Sequence, residues 1–327
     1  KIFIRLWHEI ENTKLGLYFK SRNEAKESRM KWFPYNKGGE YRKWYGNNEY
    51  VVNWENDGHY MRNFRDEKGN IPAHAFNLDY IFKENITWSS LSSYKFASRY
   101  TDFGYLYDAS GSFADVQTEN IKYTLAFLCS EVTLFFLQAM NPTLNFQKGN
   151  VSTLPFIISK TYKFKIDDVV HYNILTSKID WNSFEVSWNF EKHPLLKHIN
   201  DTGDSAEQLI SNSYNSWKEF TNQQFYQLKD NEEELNRIFI EIYGLQDELT
   251  PEVEDKDITI HRIFDEKQEI PSRMKGSKYI LFKEDVVKSL ISYAVGCLLG
   301  RYSLDVDELA YAGGVWDESK YQTIIPD

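Results

Sequence analysis

A chain of 327 residues, 42% apolar and 16% aromatic, can bury a large core in two or three subdomains and is too rich in aromatic side chains to stay unfolded. A formal charge of -10 excludes a uniformly basic nucleic-acid binder, and two cysteines, Cys129 and Cys297, are too few for a disulfide framework. The charge is uneven: residues 1–100 carry 17 Lys+Arg against 12 Asp+Glu, residues 101–200 carry 8 against 10, and residues 201–327 carry 13 against 26.

Only the field at a phosphate-facing surface matters for binding DNA, so the first third can supply such a surface and the last third cannot. Both cysteines sit in apolar helical patterns and read as buried, reduced thiols, which fits a cytoplasmic protein. The longest apolar runs are interrupted by Glu131, or by Lys288 and Gly296, which argues against a membrane span. The chain opens at Lys1 without methionine and closes at Ile325-Pro326-Asp327, and reads as part of a longer protein.

In chain order, residues 2–7 alternate as a strand and residues 22–31 form a short solvated helix or loop. Asn36, Gly38 and Gly39 mark a turn, as do Gly46-Asn47-Asn48, with aromatic strand-like pieces between them. Residues 51–55 form a strand and Asn56-Asp57-Gly58 its turn. Lys37, Arg42, Lys43, Arg62, Arg65 and Lys68 cluster here; a solvated basic face is the plainer reading and phosphate contact the sharper one.

The stretch Ile86 to Tyr100 packs hydroxyls (Ser89, Ser90, Ser92, Ser93), aromatics (Trp88, Tyr94, Phe96, Tyr100) and cations (Lys95, Arg99) into fifteen residues. If Trp88, Leu91 and Phe96 face inward, the serines, Tyr94, Lys95 and Arg99 face out, where they can reach phosphates and base edges. Residues 120–140 predict one buried helix ended by Pro142, followed by Met140-Asn-Pro-Thr-Leu-Asn-Phe-Gln-Lys-Gly-Asn150 and a strand over 151–158. Residues 180–194 read as an aromatic connector.

Ser205 and Gln208 have capping-box spacing and open a helix to Leu228; a second, from Asn231 to Tyr243, pairs Glu233 with Arg237, so the two form a hairpin. A last helix, about Glu284 to Arg301, carries Val287, Ile291, Val295 and Leu298 on one side and a small-residue stripe of Ser292, Gly296 and Gly300. No histidine pair has metal-ligand spacing; His193 and His198, five apart around Pro194, read as helix caps or packed rings. No phosphate-binding loop, dinucleotide fingerprint or nucleophile elbow occurs, and Asp-Glu-Lys at 66–68 and 265–267 is weak support for a nuclease.

Trp32-Phe-Pro-Tyr-Asn-Lys-Gly-Gly-Glu-Tyr-Arg-Lys-Trp-Tyr-Gly-Asn-Asn-Glu-Tyr-Val-Val-Asn-Trp-Glu-Asn-Asp-Gly58 resembles a hallmark of the PglX-type adenine-specific DNA methyltransferases of bacterial BREX phage-defence systems, which are similar to the methylase subunits of type II restriction enzymes. The likeness continues through residues 86–89, 141–147, 187–195 and 293–305, and so runs along essentially the whole chain. Asp115 and Lys148 depart from the family pattern, both near the recognition region.

The resemblance implies an S-adenosylmethionine-dependent adenine methyltransferase as the parent. Its cofactor loop and its Asn-Pro-Pro-Tyr/Phe motif, which holds the flipped adenine, stand in an upstream domain. This chain has neither, so it is expected to be inactive alone and to bind no cofactor itself. Its expected partners are duplex DNA and that upstream domain, with other defence proteins or a phage inhibitor as the alternative.

The expected class is α+β. A mixed-sheet recognition domain with a buried helix fills 1–160 (1–85 its N-terminal part, 86–160 its core), a connector and helical hairpin 161–250, and a small helical portion 251–327. The expected DNA-facing residues are Lys37, Arg42, Lys43, Arg62, Arg65, Ser89, Ser90, Ser92, Ser93, Tyr94, Lys95, Arg99, Tyr100 and Lys148.

Overall fold

The computed structural model describes residues 2–71, 77–92, 94–141, 143–198, 210–307 and 309–323. The class is α+β, and the chain divides into two compact units, Lys1–Val170 and His171–Asp327.

In the first unit β1 (Ile4–Leu6), β2 (Trp32–Asn36), β3 (Tyr50–Asn53) and β6 (Leu106–Tyr107) form one sheet in the order β1-β3-β2-β6. The β2–β3 pair is antiparallel and sets Phe33 opposite Val52, while β2 runs parallel to β6. Alternation sends Phe33 and Val52 to one face, where Phe3, Ala25, Trp54, Ile81, Phe82 and Leu106 close a core around them. Ala25 comes from α1 (Arg22–Glu27), whose N-cap Ser21 accepts the Glu24 amide.

A second, antiparallel sheet has the order β5-β4-β7, from β4 (Asn85–Ser89), β5 (Ser98–Thr101) and β7 (Gly111–Ala114). The sheets are tied by a buried polar line: Asn36 Nδ2 donates to Thr87 Oγ1 at 2.9 Å, which lies 3.0 Å from Thr101 Oγ1.

The apolar run 120–140 is two helices rather than one. α3 (Ile121–Cys129) and α4 (Glu131–Met140) meet at a 65° bend. Ser130 is extended, with its hydroxyl donated to the Phe127 carbonyl at 2.7 Å and accepting the Thr133 amide at 3.4 Å, so a serine inside an apolar run acts as a cap. No single helix among the described residues is long and apolar enough to cross a membrane. The strand expected over 151–158 does not form: residues 148–152 make a short helix, α5 (Lys148–Ser152), and the stretch after it has no ladder partner. Instead Tyr123 holds it, donating to the Ile157 carbonyl and accepting the Ser159 amide. Pro142, Ser205 and Gln208 lie outside the described residues.

α6 (Lys163–Asn182) contains the boundary between the units and occupies a stretch expected to be connector. In the second unit the expected hairpin is one continuous helix, α8 (Ile210–Tyr243), of 34 residues. The residues that look like a break are used as helix side chains: Lys229 pairs with the fully buried Asp255 at 2.6 Å, and Asn231 donates to Asn173 at 2.8 Å. Arg237 pairs with Glu234, one turn away, and not with Glu233, whose carboxylate accepts the Val253 amide.

β8 (Arg262–Phe264) and β9 (Ile280–Phe282) form a parallel pair that leads directly into α9 (Lys283–Leu298). Val286, Tyr293 and Gly296 form the buried side of α9, whereas Val287, Ile291, Val295 and Leu298 share a side that is exposed. The small-residue stripe does admit a neighbour: a Cβ on Gly296 would stand 2.7 Å from the Tyr302 ring. His193 N-caps α7 (Pro194–Lys197), its Nδ1 accepting the Leu195 amide. Cys129 is buried and Cys297 half-buried, and neither is bridged.

Candidate nucleic-acid interface

The two stretches singled out in the sequence, 86–100 and 140–150, form one ridge. Trp88, buried in β4, donates its indole N–H to the Phe146 carbonyl at 3.0 Å. The Phe146 amide bonds the Ser90 carbonyl at 2.7 Å, the Ser92 amide bonds the Leu144 carbonyl at 3.0 Å, and Leu91 bridges Asn145 antiparallel. Beneath the ridge, Phe96 packs between Trp88 and Phe146, with ring centroids 6.1 and 5.1 Å away. Asn141 shapes the approach by accepting the Thr143 hydroxyl at 2.7 Å and donating to the Asn145 carbonyl at 2.8 Å.

With the large aromatics turned inward, the ridge presents Leu91 (72% exposed), Leu144, Thr143, Asn145 and Tyr94 outward. Leu91 thus departs from the inward face expected for it, because Asn145, not a core side chain, sits opposite it. Tyr94 stands edge-on to Tyr41, and the half-buried Lys95 holds its ammonium 5.6 Å from the Tyr94 ring.

The serines serve the ridge from within. Ser89 donates to the Gly39 carbonyl at 2.8 Å, Ser92 to the Lys95 carbonyl at 2.8 Å, and Ser90 shares a 2.8 Å hydrogen bond with Ser112. Ser93 lies outside the described residues. Tyr100 donates to Glu84, and burial together with the charges of Asp102 and Glu84 holds its hydroxyl protonated far above the ordinary range.

Three of the expected DNA-facing cations point into the protein: Arg42, Lys43 and Arg99 are buried. The segment 41–46 folds against β5, with the Trp44 amide on the Ser98 carbonyl and the Tyr100 amide on the Trp44 carbonyl. The Arg99 guanidinium donates to the Arg42 carbonyl at 3.4 Å. A side chain held this way cannot meet a phosphate without leaving the core. The basic reading of this segment came from residue type alone, which carries no information on which way a loop turns.

Lys37 and Lys148 are exposed, with ammoniums 4.7 Å from the Tyr50 ring and 5.5 Å from the Phe113 ring. Lys37 sits beside the base of the ridge, since Ser110, whose carbonyl accepts the Ser90 amide, donates its hydroxyl to the Lys37 carbonyl. Asp108 organises that corner. Burial pushes its carboxyl up, yet hydrogen bonds from Ser110 and Tyr35 hold it below the usual carboxylate range. Arg62 and Arg65 stand apart, on and just after α2 (Glu55–Asn63), with Arg62 paired to Asp57 at 3.0 Å.

The structure also gathers a set that the sequence reading did not name. Phe113 stacks on Tyr107 at 4.4 Å and lies 6.2 Å from Tyr80, which Lys83 and Phe113's own Lys148 flank with positive charge. Four separate segments contribute, so no local pattern in the sequence announces the grouping. Among the described residues no three His, Cys, Asp or Glu side chains converge as metal ligands.

No family model matches the chain. It is 42% identical over 329 residues, covering all of this chain and 25% of the relative, to the adenine-specific methyltransferase PglX of Lacticaseibacillus casei (strain Zhang). It is 34% identical over 314 residues, 95% of this chain and 24% of the relative, to the adenine-specific methyltransferase BrxX of Escherichia coli O9:H4 (strain HS). The chain therefore spans about a quarter of the length of the curated relatives it matches, and the resemblance drawn from its residues is borne out.

Proposed function

We propose that this chain, related along its whole length to a quarter of the adenine-specific methyltransferases PglX and BrxX, is the target-recognition region of such an enzyme in a BREX-type defence system. In this reading the first unit binds duplex DNA and helps present one chosen adenine to a catalytic domain elsewhere in the longer protein. The observation that carries it is the ridge: two loops far apart in sequence are hydrogen-bonded together over an aromatic floor and expose an apolar tip beside lysines. Leu91 and Leu144 suit an apolar wedge or a contact to a thymine methyl, Tyr94 can stack, and Lys37, Lys95 and Lys148 supply charge.

S-adenosylmethionine is assigned to the remainder of the parent. A nucleotide-like cofactor needs a glycine-rich turn between a strand and the helix it feeds. The passage from β9 to α9 has no glycine, and the one from β3 into α2 has only Gly58, whose bare Cα faces the Trp54 ring (a Cβ there would stand 2.6 Å from it) and leaves no room for a phosphate, so neither passage fits that seat. No methyl-transfer step is derived from this chain.

The test is the methylation pattern made by the longer enzyme carrying substitutions here. Lys95→Ala and Lys148→Ala are expected to relax the base preference at single positions of the methylated site, each base-reading contact being worth about 1–3 kcal/mol. An unchanged site at unchanged efficiency for Leu91→Ala, Lys95→Ala and Lys148→Ala together would sink the recognition reading.

A second reading has the second unit dock another defence protein or a phage inhibitor. The exposed row Val287, Ile291, Val295 and Leu298 on α9 favours it, since a repeat of four, four and three residues presents one apolar helix face. Val287→Asp with Ile291→Asp would abolish association with such a protein while leaving DNA binding intact.

A further inference from the structure

The most specific signature in the sequence, 32–58, ends in a piece of backbone that the ridge does not use. Asn56, Asp57 and Gly58 all adopt the left-handed region, with φ of 52°, 59° and 69°. Asn and Asp tolerate that region better than other side chains do, and Gly58 is further constrained because a Cβ there would stand 2.6 Å from the Trp54 ring. Strain of this kind persists where the surroundings enforce it, and it often has a use.

Here the turn aims the Asp57 carboxylate at two arginines. Arg22 forks onto it through Nε at 3.0 Å and Nη2 at 2.6 Å, and Arg62 adds a third contact at 3.0 Å. Burial raises the Asp57 carboxyl, but the Arg22 hydrogen bonds and the charges of Arg22, Arg62 and Lys26 together hold it below its ordinary range.

Asp57 and Arg22 form one wall of an open cleft of about 410 Å³, also lined by Lys20, Lys26, Asp79 and Lys83. The lysine heads are spread around the rim: Lys20 lies 5.2 Å from the Phe103 ring and Lys83 5.5 Å from the Tyr80 ring. Asp57 is spent on its two arginines, which leaves Asp79 against three lysines, so the cleft carries a positive field. Its apolar lining is Leu78 and Ile81, with no ring on which a nucleobase could stack, and its openness suits a chain that passes through.

We infer that this cleft seats the phosphodiester backbone of duplex DNA, with Lys20, Lys26 and Lys83 as the phosphate contacts and Asp57 as the residue that positions Arg22 and Arg62. The inference rests on the DNA-binding reading above. With Arg42, Lys43 and Arg99 buried, the cations that hold the backbone come instead from α1 and its flanks and from the segment before β4.

The test is equilibrium binding of this chain to a short duplex oligonucleotide across a salt series, for the unsubstituted protein and for Lys20→Gln, Lys26→Gln and Lys83→Gln, singly and together. Each substitution is expected to lower the slope of log affinity against log salt by about 1, whatever the base sequence. The triple variant is expected to bind at least about tenfold more weakly at low salt, with an unchanged far-ultraviolet dichroism spectrum and melting midpoint.

Duplex binding with an unaltered slope in the triple variant would overturn the cleft's role and leave the recognition reading standing. No duplex binding by the unsubstituted chain at low salt would remove both. Inorganic pyrophosphate serves as the second probe: if the lysine substitutions abolish its binding but not that of the duplex, the cleft takes free anions and the assignment to DNA is wrong.

Discussion

His193 shows how one side chain can be read as structural from its neighbours. It was expected to cap or pack, and it does both: Nδ1 accepts the Leu195 amide, so Nε2 carries the proton and faces Ser289 Oγ at 2.9 Å. Burial lowers its pKa from 6.5 to about 4. The folded protein therefore refuses a proton that the unfolded chain accepts below pH 6.5, so stability falls as pH drops from about 6.5 to about 4 and levels off below. The loss attributable to this ring is on the order of 3 kcal/mol, and His193→Gln is expected to flatten that limb of the melting-temperature profile. If the variant and parent profiles run parallel through this window, the ring is not buried neutral.

Trp88 makes the corresponding argument inside the recognition unit. Its indole N–H is the side-chain link from β4 to the 143–147 loop, beside the backbone bonds of Ser90 and Ser92. Trp88→Phe keeps the ring in the core and leaves the Phe146 carbonyl without that donor, at a cost of about 1–2 kcal/mol by denaturant titration. Because the same bond helps hold the ridge together, duplex affinity is expected to fall with it. The two residue types behave differently under sequence reading for a physical reason. Large aromatics declare burial by their area, whereas Arg42, Lys43 and Arg99 are buried by the path of a loop that no local pattern announces.

Elements with a clean period were legible, and those with a polar interruption were not. The strands near 2–7 and 51–55 and the last helix fall where alternation and apolar spacing put them, and of the helix or loop expected over 22–31 the helix forms, over Arg22–Glu27. Ser130 sits inside an apolar pattern and breaks the helix there, whereas Lys229-Asp230, the break expected between Leu228 and Asn231, is helix. In both cases the deciding partner is elsewhere in the chain or fixed by the packing: a carbonyl at Phe127 in one, Asp255 and Asn173 in the other. α8 lends itself to a direct check, because Asp230 is exposed at the suspected turn. Proline is tolerated in a loop between helices but costs about 3 kcal/mol inside one. Asp230→Pro is expected to destabilise by about that amount in urea, and a change below about 0.5 kcal/mol would restore the hairpin.

At the scale of the whole molecule, charge follows the division into units. Residues 1–170 carry 22 Lys+Arg against 19 Asp+Glu, a balance of +3, and residues 171–327 carry 16 against 29, a balance of -13. A polyanion is attracted by the field near its own phosphates, since charges farther than about 8 Å away are largely screened at physiological salt. If the first unit alone meets the backbone, reversing charges in the second should be nearly silent. Lys275→Glu with Lys288→Glu is expected to leave duplex affinity within about twofold and the salt slope unchanged, whereas Lys20→Glu with Lys83→Glu should lower affinity by about tenfold or more and the slope by about 2. Equal losses from the two pairs would mean that DNA reads the net charge of the chain, and the assignment of recognition to the first unit would fail.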